Sequence, residues 1–191
     1  MRVVTRFLAA LGVLLIVTMP ALSAQHPQTR QGFWIGFGLG YGSAHATCDG
    51  CGSTNEGGAT GFPKLGGTLS PQILLGGAVN AWYKSSGGFK ESVGNVTASV
   101  YYYPAPATGF FLTGGLGFSD YDLRDGASIT GTGWGFTAGA GYDIRVGRNI
   151  SLTPVANFAY GGVGDLSSGG ATVTTGWKQS VIDFGLGITF H

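Results

Sequence analysis

Apolar residues recur at every second position through most of this sequence. The clearest case is the stretch from Ser180 to His191, where one parity carries only large apolar side chains: Ile182, Phe184, Leu186, Ile188 and Phe190. The positions between them carry Val181, Asp183, Gly185, Gly187 and Thr189. A period of two places the two sets on opposite faces of a β-strand. One face is greasy and the other mostly small or polar, which is typical of a strand with lipid outside and a tight, polar interior.

The same alternation predicts seven further strands. Their expected bounds are Gly32–Gly42, Ala59–Leu69, Ile73–Tyr83, Phe89–Tyr103, Phe110–Tyr121, Trp134–Ile144 and Ile150–Tyr160. Pro63 falls inside the second strand and predicts a bulge or a strand end there. Short turns are expected at Ser70–Gln72, Ser85–Gly88, Pro104–Thr108, Asp125-Gly126 and Val146–Asn149, and long polar loops at Ser43–Gly58 and Gly161–Ala171. The fold class predicted is all-β: an eight-stranded antiparallel up-and-down transmembrane β-barrel.

The N-terminus has the pattern of an export signal. Arg2 and Arg6 precede an apolar run over residues 7–19, and Pro20 and small residues follow as far as Ala24. This run is shorter than the ~20 residues that a spanning helix needs, so a cleaved signal peptide is expected over residues 1–24. Residues 25–31 are then a polar periplasmic lead-in, and residues 32–191 the barrel.

Charge and composition narrow the class further. Without Arg2 and Arg6, the chain keeps eight of its ten basic residues against nine acidic ones, so it has no electrostatic basis for binding nucleic acid. Only 10% of its residues are charged, against about 25% in an average soluble domain. The 37 glycines alternate with aromatic and aliphatic residues instead of forming low-complexity runs. Together with export, these features indicate an envelope or secreted β-protein.

Residues 32–190 resemble the small eight-stranded outer-membrane barrels of the OmpA, OmpX and OmpW-like kind. The resemblance lies in the glycine-aromatic texture of Gly135–Ile144 and in the C-terminal alternation that ends on Phe190, which is similar to that family's membrane-insertion signature. In the family the aromatic residue usually comes last, whereas here His191 follows it. The resemblance implies a bacterial outer-membrane location, contact with outer-membrane lipids, insertion by the barrel-assembly machinery, and a monomer.

Cys48 and Cys51 are the only cysteines, and they form a C-x-x-C motif in the first predicted long loop. Three interpretations stay open. The oxidising envelope favours a structural disulfide. A metal site would add His45 and Glu56 as ligands. A redox-active pair would need a local field that lowers a thiol pKa.

Acidic residues cluster near the fifth predicted strand, at Asp120, Asp122 and Asp125-Gly126. Calcium is one interpretation, but the spacing is not that of an EF-hand loop. A solvated hairpin with an Asp-Gly turn is favoured.

The inward parity predicts a polar network in the lumen. Its expected members are Asp143, Asp183, Arg145, Asn80, Asn95 and Asn157. Buried carboxylates need partners. Besides Arg145, the cations expected within reach are Lys64, Lys84 and Arg148.

No feature of the sequence predicts catalysis or a cofactor. Small barrels that act on lipids need a histidine beside a serine on the wall, whereas His26, His45 and His191 fall in the lead-in, a loop and the terminus. Because an eight-stranded barrel is just wide enough for side chains to fill it, we expect a non-enzymatic scaffold that presents extracellular loops. The alternatives are a narrow channel or small apolar-ligand conduit, which the OmpW-like resemblance implies, and a secreted lipocalin-like binding protein.

Overall fold

The computed structural model describes residues 30–191 as an all-β chain of ten strands. The predicted signal peptide and residues 25–29 of the predicted lead-in lie outside the described residues. The strands are β1 (Phe33–Thr47), β2 (Thr54–Gly61), β3 (Lys64–Ser70), β4 (Ile73–Ser86), β5 (Phe89–Tyr102), β6 (Phe110–Asp125), β7 (Ala127–Tyr142), β8 (Ile144–Arg145), β9 (Ile150–Ser168) and β10 (Ala171–Phe190). Within the described range, no helix is long and apolar enough to cross a membrane.

The ten strands form a closed ring of eight wall strands, so the predicted antiparallel barrel is confirmed. Each wall strand pairs with the wall strands before and after it in the chain, and β10 pairs both with β9 and with β1. β2 and β3 are two parts of one wall strand, because both pair with β1 on one side and β4 on the other. β8 continues the line of β7 along β9. Closure leaves no sheet edge with unpaired backbone groups.

The break between β2 and β3 lies at Phe62-Pro63, where the sequence predicts a bulge or strand end. Backbone bonds cross the break: the Phe62 N–H donates to the Gly38 carbonyl at 3.0 Å, and the Val79 N–H donates to the Pro63 carbonyl at 2.9 Å. Proline lacks the N–H that a ladder needs, but its carbonyl still accepts. The wall is therefore continuous at this point.

The prediction of two long loops, at residues 43–58 and 161–171, is wrong. β1 continues to Thr47 and β2 begins at Thr54, so most of residues 43–58 belong to strands. The other predicted loop shrinks to a tight turn at Gly169 and Gly170, whose φ angles of 58° and 85° lie in the left-handed region. Glycine, serine and threonine suggested loops by composition, but their backbone groups still gain hydrogen bonds wherever two strands continue side by side.

We call the rim with the strand ends Phe33 and Phe190 the terminal rim, and the opposite one the hairpin rim. Beyond the hairpin rim the strands run on as long hairpins: β9 has 19 residues and β10 has 20, against the ~9–11 that cross a membrane. The predicted Asp125-Gly126 turn lies at one hairpin tip, between β6 and β7, and Gly126 has a φ of 69°.

Sidedness follows the predicted period of two. Large apolar residues point outward, such as Leu39 with 76% of its surface exposed and Phe184 with 69%, whereas Asp183 and Thr189 of β10 are about 2% and 1% exposed. The outward face is thus an apolar belt around the barrel. Aromatic side chains stand near its margins, among them Phe33, Tyr102, Phe110 and Phe190 at the terminal rim and Tyr41, Tyr83 and Trp134 nearer the hairpin rim.

Candidate functional site

The lumen is the candidate site, and near the terminal rim it is filled by an aromatic layer. The members of this layer are Trp34, Leu74, Tyr101, Tyr103 and Phe111. Ring centroids are 5.0 Å apart for Trp34 and Tyr101 and 5.3 Å apart for Tyr103 and Phe111. Inward positions of β1, β6 and the end of β5 supply the rings. Glycines opposite make room, since a Cβ on Gly76 would lie 2.9 Å from the Trp34 ring. Offset and edge-to-face packing stabilises such a cluster beyond its burial.

A second layer, the apolar layer, closes the lumen towards the hairpin rim. Its members are Trp82, Val93, Tyr121, Ala159, Val163, Leu166 and Val181. The Trp82 indole donates to the Gly42 carbonyl at 3.2 Å, and the rings of Tyr121 and Trp177 are 4.5 Å apart. These contacts join β4 to β1 and β6 to β10, which are not adjacent strands of the wall. The lumen is therefore plugged by side chains on both sides of its middle.

Between the two layers lie small cavities of about 30 Å³ and 10 Å³. Asn80 lines both. A water molecule needs about 10–15 Å³, so these spaces hold a few small molecules at most. In the described part of the chain, the lumen is a packed core with a polar middle.

The predicted lumen residues form separate groups, not one network. Asn157 donates to the Asp183 carboxylate at 3.1 Å. Asn95 donates to the Tyr160 carbonyl at 2.8 Å and accepts from Ser119 at 3.1 Å. Asn80 faces the cavities. Neither hydrogen-bonded group includes Asp143, which has partners of its own.

Asp143 is the centre of a charge cluster at the terminal rim. Its carboxylate accepts hydrogen bonds from the hydroxyls of Tyr103 and Thr153, both at 2.8 Å. It also lies 3.7 Å from an Arg30 nitrogen and 3.4 Å from Nε2 of His191. Arg145, which is buried beside them, is attracted to the same carboxylate. A fully buried carboxylate is thus surrounded by donors and cations, as its desolvation requires.

Arg30 was not predicted as part of this cluster. Its guanidinium stacks 3.6 Å above the Tyr103 ring and donates to the carbonyls of Pro106 and Thr108 at 3.0 and 3.1 Å. The sequence placed it in the lead-in, and no periodicity marks it there. It draws the segment before β1 into the barrel mouth and ties it to the turn after β5.

His191 and Thr153 were also missed, although a sequence signal for them exists. His191 has the same parity as Asp183 and Thr189, so the alternation itself directs its side chain inward. It follows the last residue of β10, and burial lowers its pKa although the nearby Asp143 carboxylate opposes that shift. The residue that breaks the C-terminal resemblance is thus part of the charge cluster.

At the hairpin rim, the four residues of the possible metal site have separate partners and do not meet. Cys48 and Cys51 are joined in a disulfide. His45 is bonded to the Asn55 side chain at 3.1 Å, and Glu56 forms an ion pair with Lys84. Residues 30–191 contain no group of three or more potential ligands that could hold a metal ion. The Asp49 N–H donates to the Thr175 carbonyl at 3.0 Å, which attaches the disulfide turn to β10.

The acidic residues of β6 lie on the hairpin above the apolar belt. Arg124 donates to Asp122, with Nε and Oδ1 2.9 Å apart, and the exposed Arg124 side chain makes this a surface pair. Lys84 pairs with Glu56 on another hairpin, and Arg148 is exposed. Neither cation is therefore part of the Asp143 cluster, although both were expected within reach from the sequence. Lys64 does reach the lumen.

The sequence matches a family described as "Outer membrane protein beta-barrel domain" over residues 9–190. No curated protein sequence matches the chain significantly.

Solved structures with a similar fold include two bacterial proteins. The attachment invasion locus protein Ail of Yersinia pestis, in complex with the heparin analogue sucrose octasulfate, is 14% identical with a TM-score of 0.56, and the match covers 84% of this chain and 99% of that one. Neisserial surface protein A is 16% identical with a TM-score of 0.52, over 85% of this chain and 98% of that one. At these identities the likeness concerns the fold alone.

Proposed function

From the premise that this chain belongs to the outer membrane protein β-barrel domain family, we propose that it is a non-conducting, non-enzymatic scaffold that presents extracellular hairpins. The protein is located in the bacterial outer membrane, and lipids contact its apolar belt. In barrels of this kind short turns face the periplasm and longer connections face outward. The terminal rim is accordingly periplasmic and the hairpin rim extracellular.

The filled lumen is the observation that supports a non-conducting scaffold. The aromatic layer and the apolar layer close it on both sides of the two small cavities. Conduction needs a continuous polar path, and a side chain such as Phe111 or Trp82, each about 1% exposed or less, has no space to swing aside. The rigid plug instead supports the hairpins, whose strands extend the wall beyond the membrane.

We expect the purified protein to show no discrete conductance steps in a planar lipid bilayer. The matched control is a variant with an opened lumen, Trp82→Ala combined with Phe111→Ala, which removes one ring from each layer. Steps in the variant but not in the unmodified protein support a closed scaffold. Steps of uniform size in the unmodified protein would support the narrow channel instead.

A soluble carrier, a ligand conduit and an enzyme each receive less support than the scaffold. A secreted lipocalin-like protein needs a polar exterior, whereas here the outward face is apolar. An apolar-ligand conduit needs an apolar passage, and the middle of this lumen is lined by Asn80, Ser99, Thr137 and Asn157. For catalysis, His45 lies on a hairpin bonded to Asn55, and His191 is held against Asp143.

The charge of the hairpins restricts their partner. Above the apolar belt the chain carries seven acidic residues (Asp49, Glu56, Glu91, Asp120, Asp122, Asp125 and Asp165) and four basic ones (Lys84, Lys90, Arg124 and Lys178), a net charge of −3. A negative surface repels sulfated or phosphorylated polymers. We therefore propose a neutral or cationic partner for the hairpins.

On a heparin column at low ionic strength, the detergent-solubilised protein is expected in the flow-through. A variant that reverses the balance, with Asp122→Lys, Asp125→Lys and Asp165→Lys, should be retained and elute with salt. Retention of the unmodified protein would contradict the charge argument and would make it more like Ail, which has been solved in complex with the heparin analogue sucrose octasulfate.

Assembly follows from the same premise. We propose that residues 1–24 are removed as a signal peptide, that residues 25–31 are a periplasmic lead-in, and that the barrel-assembly machinery inserts the chain. Its signal would be the outward set of β10 that ends on Phe190. A closed wall without a free edge supports a monomer.

A further inference from the structure

The larger lumen cavity contains a buried cation that has no acidic neighbour along its walls. Lys64 opens β3 at the break after Pro63, points inward and is only 8% exposed. Its ammonium lies 5.0 Å from the Phe111 ring centroid, 5.1 Å from that of Tyr101 and 6.0 Å from that of Trp34. Aromatic faces stabilise a cation within about 6 Å. They supply no hydrogen-bond acceptor of carboxylate strength.

The nearest carboxylate of the terminal rim is already engaged. Asp143 pairs with Arg30 and His191, whereas Lys64 attracts it only through a longer-range electrostatic interaction. Asp183 is the acceptor for Asn157 and lines the neighbouring small cavity. The charge of Lys64 is therefore not neutralised by direct contact within the described residues.

The wall of this cavity is rich in hydrogen-bond donors. No carboxylate lines it, and its members with polar side-chain atoms are Lys64, Asn80, Ser99, Tyr101, Thr113, Thr137 and Asn157. Ser99, Thr97 and Thr137 form a chain of hydroxyls with contacts of 2.9 and 3.4 Å. Three hydroxyls have three protons for two such links, so one proton remains for a further acceptor. Lysine adds three donors and accepts none.

The size of the cavity selects the ligand. Its volume is about 30 Å³, which is room for about two or three particles the size of a water molecule. Sulfate, phosphate and organic carboxylates need more space than this. A single monatomic anion fits, and a buried cation gains far more from an anion than from water because the surroundings have a low dielectric constant.

From this juxtaposition we propose that the lumen binds one halide ion, chloride under ordinary conditions, between the Lys64 ammonium and the hydroxyl and amide donors opposite. The ion is enclosed while the barrel folds, because the aromatic layer and the apolar layer block entry afterwards. It neutralises Lys64 and completes the polar middle of the core. The site is thus a structural anion site inside the wall of an outer-membrane barrel.

The test uses urea unfolding of the full-length barrel in detergent micelles, after refolding in sodium chloride or sodium gluconate at one total sodium concentration. A ligand that binds only the folded state raises stability with its concentration. The midpoint of the unmodified protein should rise with chloride and then level off. In Lys64→Met the midpoint should not respond to chloride, whereas in Lys84→Met, which loses an exposed cation on a hairpin, it should respond as in the unmodified protein.

Absence of a chloride response in the unmodified protein, or an equal response in Lys64→Met, overturns the proposal. If Lys64→Met does not fold, crystals of the unmodified protein refolded in sodium bromide decide the matter. An anomalous bromine peak beside Lys64 supports the site. A cavity containing only water under those conditions rejects it.

Discussion

Replacement of Asp143 by asparagine is expected to lower the free energy of unfolding by about 3–5 kcal/mol, because it leaves buried cations without their counter-charge. Asparagine has nearly the same shape. Tyr103 and Thr153 donate to different carboxylate oxygens, so the single asparagine oxygen keeps one of these bonds and its NH2 group donates to the other hydroxyl instead. The loss therefore reports on charge and not on packing. Arg30, at 3.7 Å, and the buried Arg145 would both lose the side-chain carboxylate that attracts them.

Urea unfolding followed by tryptophan fluorescence measures this effect, since Trp34 lies in the aromatic layer beside the cluster. The matched control is Asp122→Asn, which makes the same chemical change in the surface pair with Arg124 on a hairpin. Exposed pairs contribute little to stability, so the unfolding midpoint of this control should stay almost unchanged. Equal midpoints for both variants would mean that the charge cluster does not stabilise the barrel.

The sequence predicted the barrel wall well because lipid and lumen impose opposite demands on neighbouring residues. Over residues 182–190 of β10 every outward position is large and apolar, and the inward ones are small or polar. This period of two determines the strand, its sidedness and, repeated along the chain, the number of wall strands. Pro63 also predicted the break between β2 and β3, because a proline cannot donate a hydrogen bond to the strand ladder.

The hairpins above the membrane could not be predicted in the same way. There water surrounds both faces of the strand, and neither face needs to be apolar. Residues 43–47 and 161–168 are therefore mostly polar or small, as turns are. Strand pairing persists because the register set inside the membrane continues outward, as in the run from Gly42↔Asp183 to Thr47↔Lys178 between β1 and β10.

The charge cluster was predictable in part. Asp143 and Arg145 share the inward parity, and the same rule extends to His191 and Thr153. Arg30 is different, because it precedes β1 and no alternation reaches it. Its position depends on three-dimensional contacts with Tyr103 and with the carbonyls of the turn after β5. Those carbonyls belong to residues 76 and 78 positions further along the chain, and contacts over such separations leave no local signature.

Some glycines of the inward face are expected to be indispensable because a side chain there would collide with the backbone of the paired strand. Gly66 of β3 is the clearest example. It lies directly opposite Gly76 of β4 beneath Trp34. A Cβ on Gly66 would meet the Leu75 carbonyl oxygen and would lie 2.6 Å from the Gly76 Cα. These are backbone atoms, which cannot turn aside as a side chain can. Gly66→Ala should therefore cost about 1–3 kcal/mol of stability through overpacking.

The adjacent residue is the control. Gly67 lies on the outward face of the same strand, and a Cβ there has no atom within 4 Å. Both residues have ordinary backbone angles, since neither has a positive φ, so the two alanine variants differ only in the side of the wall that receives the methyl group. Gly67→Ala should shift the urea midpoint little, whereas Gly66→Ala should lower it clearly. A similar loss of stability in both variants would show that the glycines act through backbone flexibility, and not through the space that Gly66 leaves for the backbone of β4.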